Sequence, residues 1–180
     1  MLKTQAKLKK SDLKKFIRDI PDFPKPGIVF KDITPLLNHK DAFKKVINTI
    51  YNKFKKEKID HVVSVESRGF ILGAPLAYKL GAGFVLVRKK GKLPHKTKSV
   101  TYQLEYGTDT LEIHEDAIGP QSRVLIVDDV LATGGTVRAV ADLLKGQKAN
   151  IVGASFLIEL RFLKGKNKLT DFPIYSVIKY

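Results

Sequence analysis

Thirteen residues, Val124 to Thr136, constrain this chain more than any other part of it, and they read V-L-I-V-D-D-V-L-A-T-G-G-T. Val124 to Val127 are apolar and mostly β-branched, which predicts a strand buried on both faces of a parallel sheet and ending at Asp128 and Asp129. Val137, Val140, Ala141, Leu143 and Leu144 then recur at helical spacing. Ala132, Thr133, Gly134, Gly135 and Thr136 therefore occupy the turn between strand and helix. Adjacent glycines let the backbone approach a ligand with no Cβ in the way. Free N–H groups at a helix start, two threonine hydroxyls and the positive end of the helix dipole make an anion site fit for a monophosphate. Carboxylates repel phosphate but accept hydrogen bonds from vicinal hydroxyls, so Asp128 and Asp129, at the carboxyl edge of the sheet, suit a ribose. Together they imply a ribose 5-phosphate. The stretch matches neither G-x-x-x-x-G-K-[ST] nor G-x-G-x-x-G, so nucleoside triphosphate and dinucleotide loops are set aside.

With 180 residues, 43% hydrophobic and 28% charged, the chain has the size and balance of one globular domain. It has no cysteine, which excludes disulfides and thiolate metal sites. The four histidines are scattered and His114-Glu115 does not extend to H-E-x-x-H, so no protein-held metal is expected. No apolar run reaches membrane-spanning length and the first ten residues lack a signal-peptide core, so a cytoplasmic protein with no membrane partner is expected. Thirty-three basic against eighteen acidic residues leave +15. That excess suits an enzyme handling polyanions, and it also admits nucleic acid as a less favoured partner.

In chain order, Ser11 is a plausible cap for a short helix carrying Leu13, Phe16, Ile17 and Ile20 on one side. Pro21, Pro24, Pro26 and Gly27 then force an irregular loop, whose Phe23, Ile28, Val29 and Phe30 are expected mostly to cover core. Phe30 could instead stack on a planar ring while backbone amides nearby read its edge. Asp41 to Lys58 has Phe43, Val46, Ile47, Ile50, Tyr51 and Phe54 at helical spacing, and Ile59 to Val65 reads as the first core strand. A second strand, loop and helix opening follows at Glu66-Ser67-Arg68-Gly69-Phe70, where Gly69 permits close approach and Arg68 can clamp a phosphate with two hydrogen bonds. The helix is expected over Phe70 to Leu80, with Pro75 tolerated near its first turns.

Gly83 to Val87 reads as a further buried strand, followed by the basic run Arg88-Lys89-Lys90-Gly91-Lys92. From His95 to Thr108 the sequence is polar and without periodicity, as in a mobile lid. Thr110 to Glu115 alternates like a half-exposed antiparallel strand, Glu112 and His114 facing out. Asn150 to Leu160 and Ile174 to Tyr180 are strands, with a basic turn at Gly165 to Lys168 between them. No linker or fixed-period repeat divides the chain. The expectation is an α/β fold: one domain over 1–180 with an open, mainly parallel twisted sheet flanked by helices, an N-terminal hood over 1–35 and a flap over 88–115.

The Val124–Thr136 stretch resembles the 5-phosphoribosyl-1-pyrophosphate (PRPP) motif of the type I phosphoribosyltransferases. Asp22-Phe23-Pro24-Lys25-Pro26-Gly27-Ile28-Val29-Phe30-Lys31-Asp32-Ile33 is similar to a segment familiar from the adenine phosphoribosyltransferases, as are Glu66 to Phe70, Arg88 to Pro94, Leu104-Glu105-Tyr106-Gly107 and Leu131 to Thr136. Four positions depart from the usual form: Lys31 and Lys90 where arginine is common, Glu66 where aspartate is frequent, and Val130 where leucine is common. If residue 31 reads the base through its backbone, lysine is harmless; if through a guanidinium, affinity falls.

The resemblance implies Mg²⁺-dependent transfer of phosphoribosyl from PRPP to adenine, giving AMP and pyrophosphate, in a homodimer, with Mg²⁺ carried in by PRPP. It implies that Asp128, Asp129, Ala132, Thr133, Gly134, Gly135 and Thr136 bind PRPP. Pyrophosphate would meet Glu66, Ser67, Arg68, Gly69, Arg88 and Lys92, and adenine Val29, Phe30, Lys31 and Val130. Glu105 and Arg68 would be catalytic, Glu105 by proton handling on a flap that also carries Tyr106. Two other readings stay open: a phosphoribosyltransferase for another purine base, and a PRPP-binding regulatory protein that binds nucleic acid.

Overall fold

The computed structural model describes residues 8–103 and 107–180. They form two compact units, Met1–Thr49 and Ile50–Tyr180.

In the first unit, Lys10–Phe16 is a 3-10 turn entered from Lys9, whose N–H donates to Asp12 Oδ2 at 3.0 Å. The helix expected from Ser11 to Ile20 therefore stops early, because Arg18–Ile20 (β1) is drawn into an antiparallel hairpin with Phe30–Asp32 (β2). Lys31 donates to Asp19 Oδ1 at 2.7 Å across that hairpin. The proline loop between the strands is tied by Gly27 N–H to Asp22 Oδ1 at 2.7 Å, with Gly27 at φ +83°. Its apolar residues do not cover core as expected: Phe23 is 51%, Ile28 43% and Val29 48% exposed. Asp32 caps the short helix Thr34–Asn38 (α1) through the Thr34 N–H and hydroxyl, at 2.9 and 2.8 Å. Lys40–Phe54 (α2) follows, burying Ala42, Val46, Ile47, Ile50 and Phe54 at helical spacing. It ends four residues before the expected Lys58, where the chain must turn.

The second unit is built on a seven-stranded sheet. Its strands are His61–Val65 (β3), Gly83–Lys89 (β4), Thr97–Gln103 (β5), Thr108–His114 (β6), Arg123–Leu131 (β7), Asn150–Glu159 (β8) and Ile174–Lys179 (β9), in the order β5-β6-β4-β3-β7-β8-β9. The five from β4 to β9 in that order pair in parallel, while β6 pairs antiparallel with both β4 and β5. The sheet is thus mainly parallel, as expected. Helices Arg68–Leu80 (α3) and Gly135–Gly146 (α4) flank it. Val63, Val65, Val85, Val87, Val124 and Ile126 join one core with Val137, Val140 and Leu144 of α4. The alternate positions face α3, where Gly73 lies so close to the Ser64 hydroxyl and the Phe84 ring that a Cβ would collide with both. Period-two alternation across a sheet covered on both sides explains the near-continuous apolar strands.

Three further expectations are corrected here. The central strand does not end at the acid pair but runs on to Leu131, because β8 continues to pair with Val130 and Leu131. Residues 97–103, read as part of a lid without periodicity, form β5, paired along its whole length with β6. Pro75 lies in the middle of α3 rather than in its first turns. Gly165–Lys168 is a basic turn as expected, a single turn of 3-10 helix. No described helix is long and apolar enough to cross a membrane.

Candidate active site

The carboxyl ends of β3 and β7 bring two loops together. After β7, the chain turns through Ala132 to Gly134 and enters α4, with Gly134 at φ +79° and ψ −2° as the cap. Such a left-handed cap favours glycine. Gly135 and Thr136 are therefore the first helical residues, where N–H groups have no partner within the helix. Asp128, Val130 and the residues from Leu131 to Val137 line a concavity of about 70 Å³, which suits a single tetrahedral anion.

Asp128 and Asp129 stand at the entrance. The Asp129 N–H donates to Asp128 Oδ1 at 2.8 Å, so the first carboxylate is held by the backbone of the second. Burial pushes the Asp128 carboxyl well above its ordinary range, and the negative charge of Asp129 adds to this. Burial raises Asp129 as well, against the pull of Arg68. The Arg68 Nε lies 2.7 Å from Asp129 Oδ2. The arginine expected to clamp a phosphate thus also meets the acid pair, which links the two loops.

Gly69, expected to admit a ligand, has another task. A Cβ there would lie 2.8 Å from Asp128 Oδ1 and 3.2 Å from the Val127 carbonyl oxygen. The glycine makes room for β7 and its acid. The peptide bond between Glu66 and Ser67 is cis.

Glu66 is the hub of the second loop. Its carboxylate accepts from Arg88 Nε and Nη2 at 3.1 and 3.0 Å, from the Lys89 N–H at 2.7 Å and from Lys92 Nζ at 3.2 Å. Burial acts to raise its pKa, but these donors prevail and hold it below the usual range. A carboxylate so placed gathers the cations of the basic turn. Lys89 pairs with Asp109 at 3.0 Å, and that carboxylate raises the lysine pKa. Glu112, expected to face solvent, is 8% exposed and accepts the Gly91 N–H at 2.9 Å, shaping the basic turn after β4.

Tyr102 had no role in the sequence-based expectations, and Glu112 only that of an outward-facing residue. The Tyr102 hydroxyl of β5 lies 3.4 Å from Thr136 Oγ1, and its ring lies beside Gly135. Its signal was present in the alternation S-V-T-Y-Q, in which Val100 and Tyr102 turn inward. Of the other residues expected at the site, Val29, Phe30 and Lys31 lie on and beside the N-terminal hairpin, with Phe30 edge-on to Phe23 at 5.2 Å. Val130 lines the concavity after β7. Leu104, Glu105 and Tyr106 lie outside the described residues.

A glycine-capped concavity after one parallel strand, an acid pair at its mouth and a basic turn after β4 are the parts expected of a phosphoribosyl-transferring domain. The family model for the phosphoribosyl transferase domain matches residues 32–179. The chain is 59% identical over 169 residues to the adenine phosphoribosyltransferase of Syntrophotalea carbinolica, covering 94% of this chain and 99% of that one. Its identity to the adenine phosphoribosyltransferase of Pelobacter propionicus is 58%, covering 94% and 98%. The crystal structure of adenine phosphoribosyltransferase from Thermoanaerobacter pseudethanolicus superposes with a TM-score of 0.93 at 51% identity, covering 96% of this chain and all of that one. That from Saccharomyces cerevisiae, complexed with an imino-altritol bisphosphate and adenine, gives 0.89 at 41%, covering 93% and 97%. The chain belongs to the adenine phosphoribosyltransferases and is a transferase enzyme.

Proposed function

We propose that the chain transfers the 5-phosphoribosyl group of PRPP to N9 of adenine, giving AMP and pyrophosphate in purine salvage in the cytoplasm. The observation that carries this reading is the left-handed Gly134 cap and open α4 start directly beyond Asp128 and Asp129. The amides and hydroxyls of Ala132 to Thr136 hold the 5-phosphate, while Asp128 and Asp129 accept hydrogen bonds from the ribose hydroxyls. Arg88 and Lys92, gathered by Glu66, and Arg68 with the Ser67–Gly69 backbone receive pyrophosphate. Departure of that polyanion leaves positive charge on the ribose carbon, which the neighbouring carboxylates stabilise. Val29, Phe30, Lys31 and Val130 take the base. Lys31 is engaged with Asp19, so its part in base recognition is through the backbone. Glu105 handles the proton leaving N9, beside Tyr106 on the flap.

Among the described residues no cluster of three acidic or histidine side chains could hold a metal by itself. Magnesium fits as an ion carried in by PRPP, whose oxygens and water supply most of its ligands. When bound it neutralises charge on the leaving pyrophosphate. We also infer a homodimer. On α3, Ile71 is 41% and Tyr78 91% exposed, and Leu86, on the β4 face that meets α3, is 37% exposed.

A spectrophotometric assay with PRPP and Mg²⁺ against adenine, hypoxanthine, guanine and xanthine tests reaction and base together. AMP formation from adenine alone is expected; turnover of another base in its place would reassign the enzyme. Unchanged turnover in Glu105→Leu would remove that residue from the mechanism.

A further inference from the structure

We propose that Gly165, in the turn between β8 and β9, is a positioning residue that sets the aim of the phosphate cradle. The proposal rests on the reading that Ala132 to Thr136 hold the 5-phosphate.

The backbone of Gly165 lies directly behind that loop. A Cβ on Gly165 would stand 2.8 Å from the Gly134 nitrogen and 2.9 Å from the Thr133 carbonyl carbon, and nearer still to the Ala132 carbonyl oxygen. The contact is reciprocal. A Cβ on Gly134 would collide with the Gly165 carbonyl oxygen and stand 3.1 Å from its carbon. Two stretches of main chain thus touch with no space for a methyl group on either side. Gly134 has a separate reason to be glycine, its φ of +79°. Gly165 is not in the left-handed region, so contact alone demands a glycine there.

The turn cannot easily retreat. Leu169 and Phe172, just after it, are buried in the core shared with α4. Asp171 receives Arg138 of α4 on both oxygens at 2.9 Å and also pairs with Lys145 of the same helix. The brace is therefore tied to the helix whose first turn forms the cradle. Any side chain at 165 must push the Ala132–Gly134 peptides forward, tilting the amides that face the phosphate. Small misplacements of such groups carry large kinetic penalties.

In Gly165→Ala, KM for PRPP is expected to rise roughly tenfold while KM for adenine stays within about twofold. Gly146→Ala, at a glycine with open space around it, serves as the control and should change neither. A PRPP KM unchanged in Gly165→Ala overturns the proposal, as does an equal rise in both constants, which would mark a purely structural glycine. Should that variant fail to fold, the wild-type enzyme decides by amide hydrogen exchange with ribose 5-phosphate. Protection should extend from residues 133–137 to residues 165–168. Protection of the loop without the turn overturns the brace and leaves the phosphate site standing. Protection of neither overturns the reading of the cradle itself.

Discussion

Asp128 is held in a place that does not favour its charge. Burial and the adjacent Asp129 both raise its pKa, and an acid whose folded pKa is raised stabilises the fold most below the ordinary carboxylate range. That stability is lost as pH rises through the raised value. Ionising the pair therefore costs folding free energy, which ribose hydroxyls and a developing positive charge can offset. Asp128→Asn keeps an oxygen for the Asp129 N–H but removes the charge. It should raise thermal stability at pH 7 by about 1 kcal/mol, or roughly 2–4 °C, while lowering affinity for PRPP. The stabilisation should fade as pH falls toward 4, where wild-type Asp128 is already neutral; calorimetry over pH 4–8 checks this. The acid pair at the carboxyl edge of the sheet was legible in the sequence. The counter-ion was not. Arg68 lies sixty residues away in sequence, and only the parallel pairing of β3 with β7 brings it within 2.7 Å of Asp129.

Among elements, β5 changes the picture most. Its polar composition concealed a strand whose edge position asks for little apolar surface: only Val100 and Tyr102 pack inward. Paired with β6 and packed on α4, it carries the Tyr102 hydroxyl to Thr136 at the start of α4. Tyr102→Phe deletes one long neutral hydrogen bond, worth about 0.5–1.5 kcal/mol. KM for PRPP should rise roughly 2- to 10-fold with little change in melting temperature, measured by steady-state kinetics and thermal shift. An unchanged KM would mean that β5 does not steady the phosphate site. The strong elements, α2, α3, α4 and the buried strands, were legible because periodicity and length agreed. Ends were not: β7 passes the acid pair because β8 offers partners as far as Leu131.

At the scale of the whole molecule, +15 and the exposed apolar side of α3 make different demands. The charge favours the approach of polyanions, whereas Ile71 and Tyr78 gain from being covered. In sedimentation equilibrium at micromolar concentration the enzyme should be a dimer, and Ile71→Lys combined with Tyr78→Lys should shift it to monomer. A wild-type monomer under those conditions would reject the homodimer. The sequence by itself determined the fold class, the glycine-capped loop after β7 and the acid pair, because each is a local pattern of periodicity, glycine conformation and side-chain chemistry within about a dozen residues. Only the tertiary structure decided that Glu66 gathers Arg88 and Lys92, that Gly69 yields space to Asp128, and that Gly165 packs against the Ala132–Gly134 backbone. Those roles are contacts between segments far apart in the chain, and steric exclusion or ion pairing across such distances is specified by sheet order and register, which no short stretch of sequence encodes.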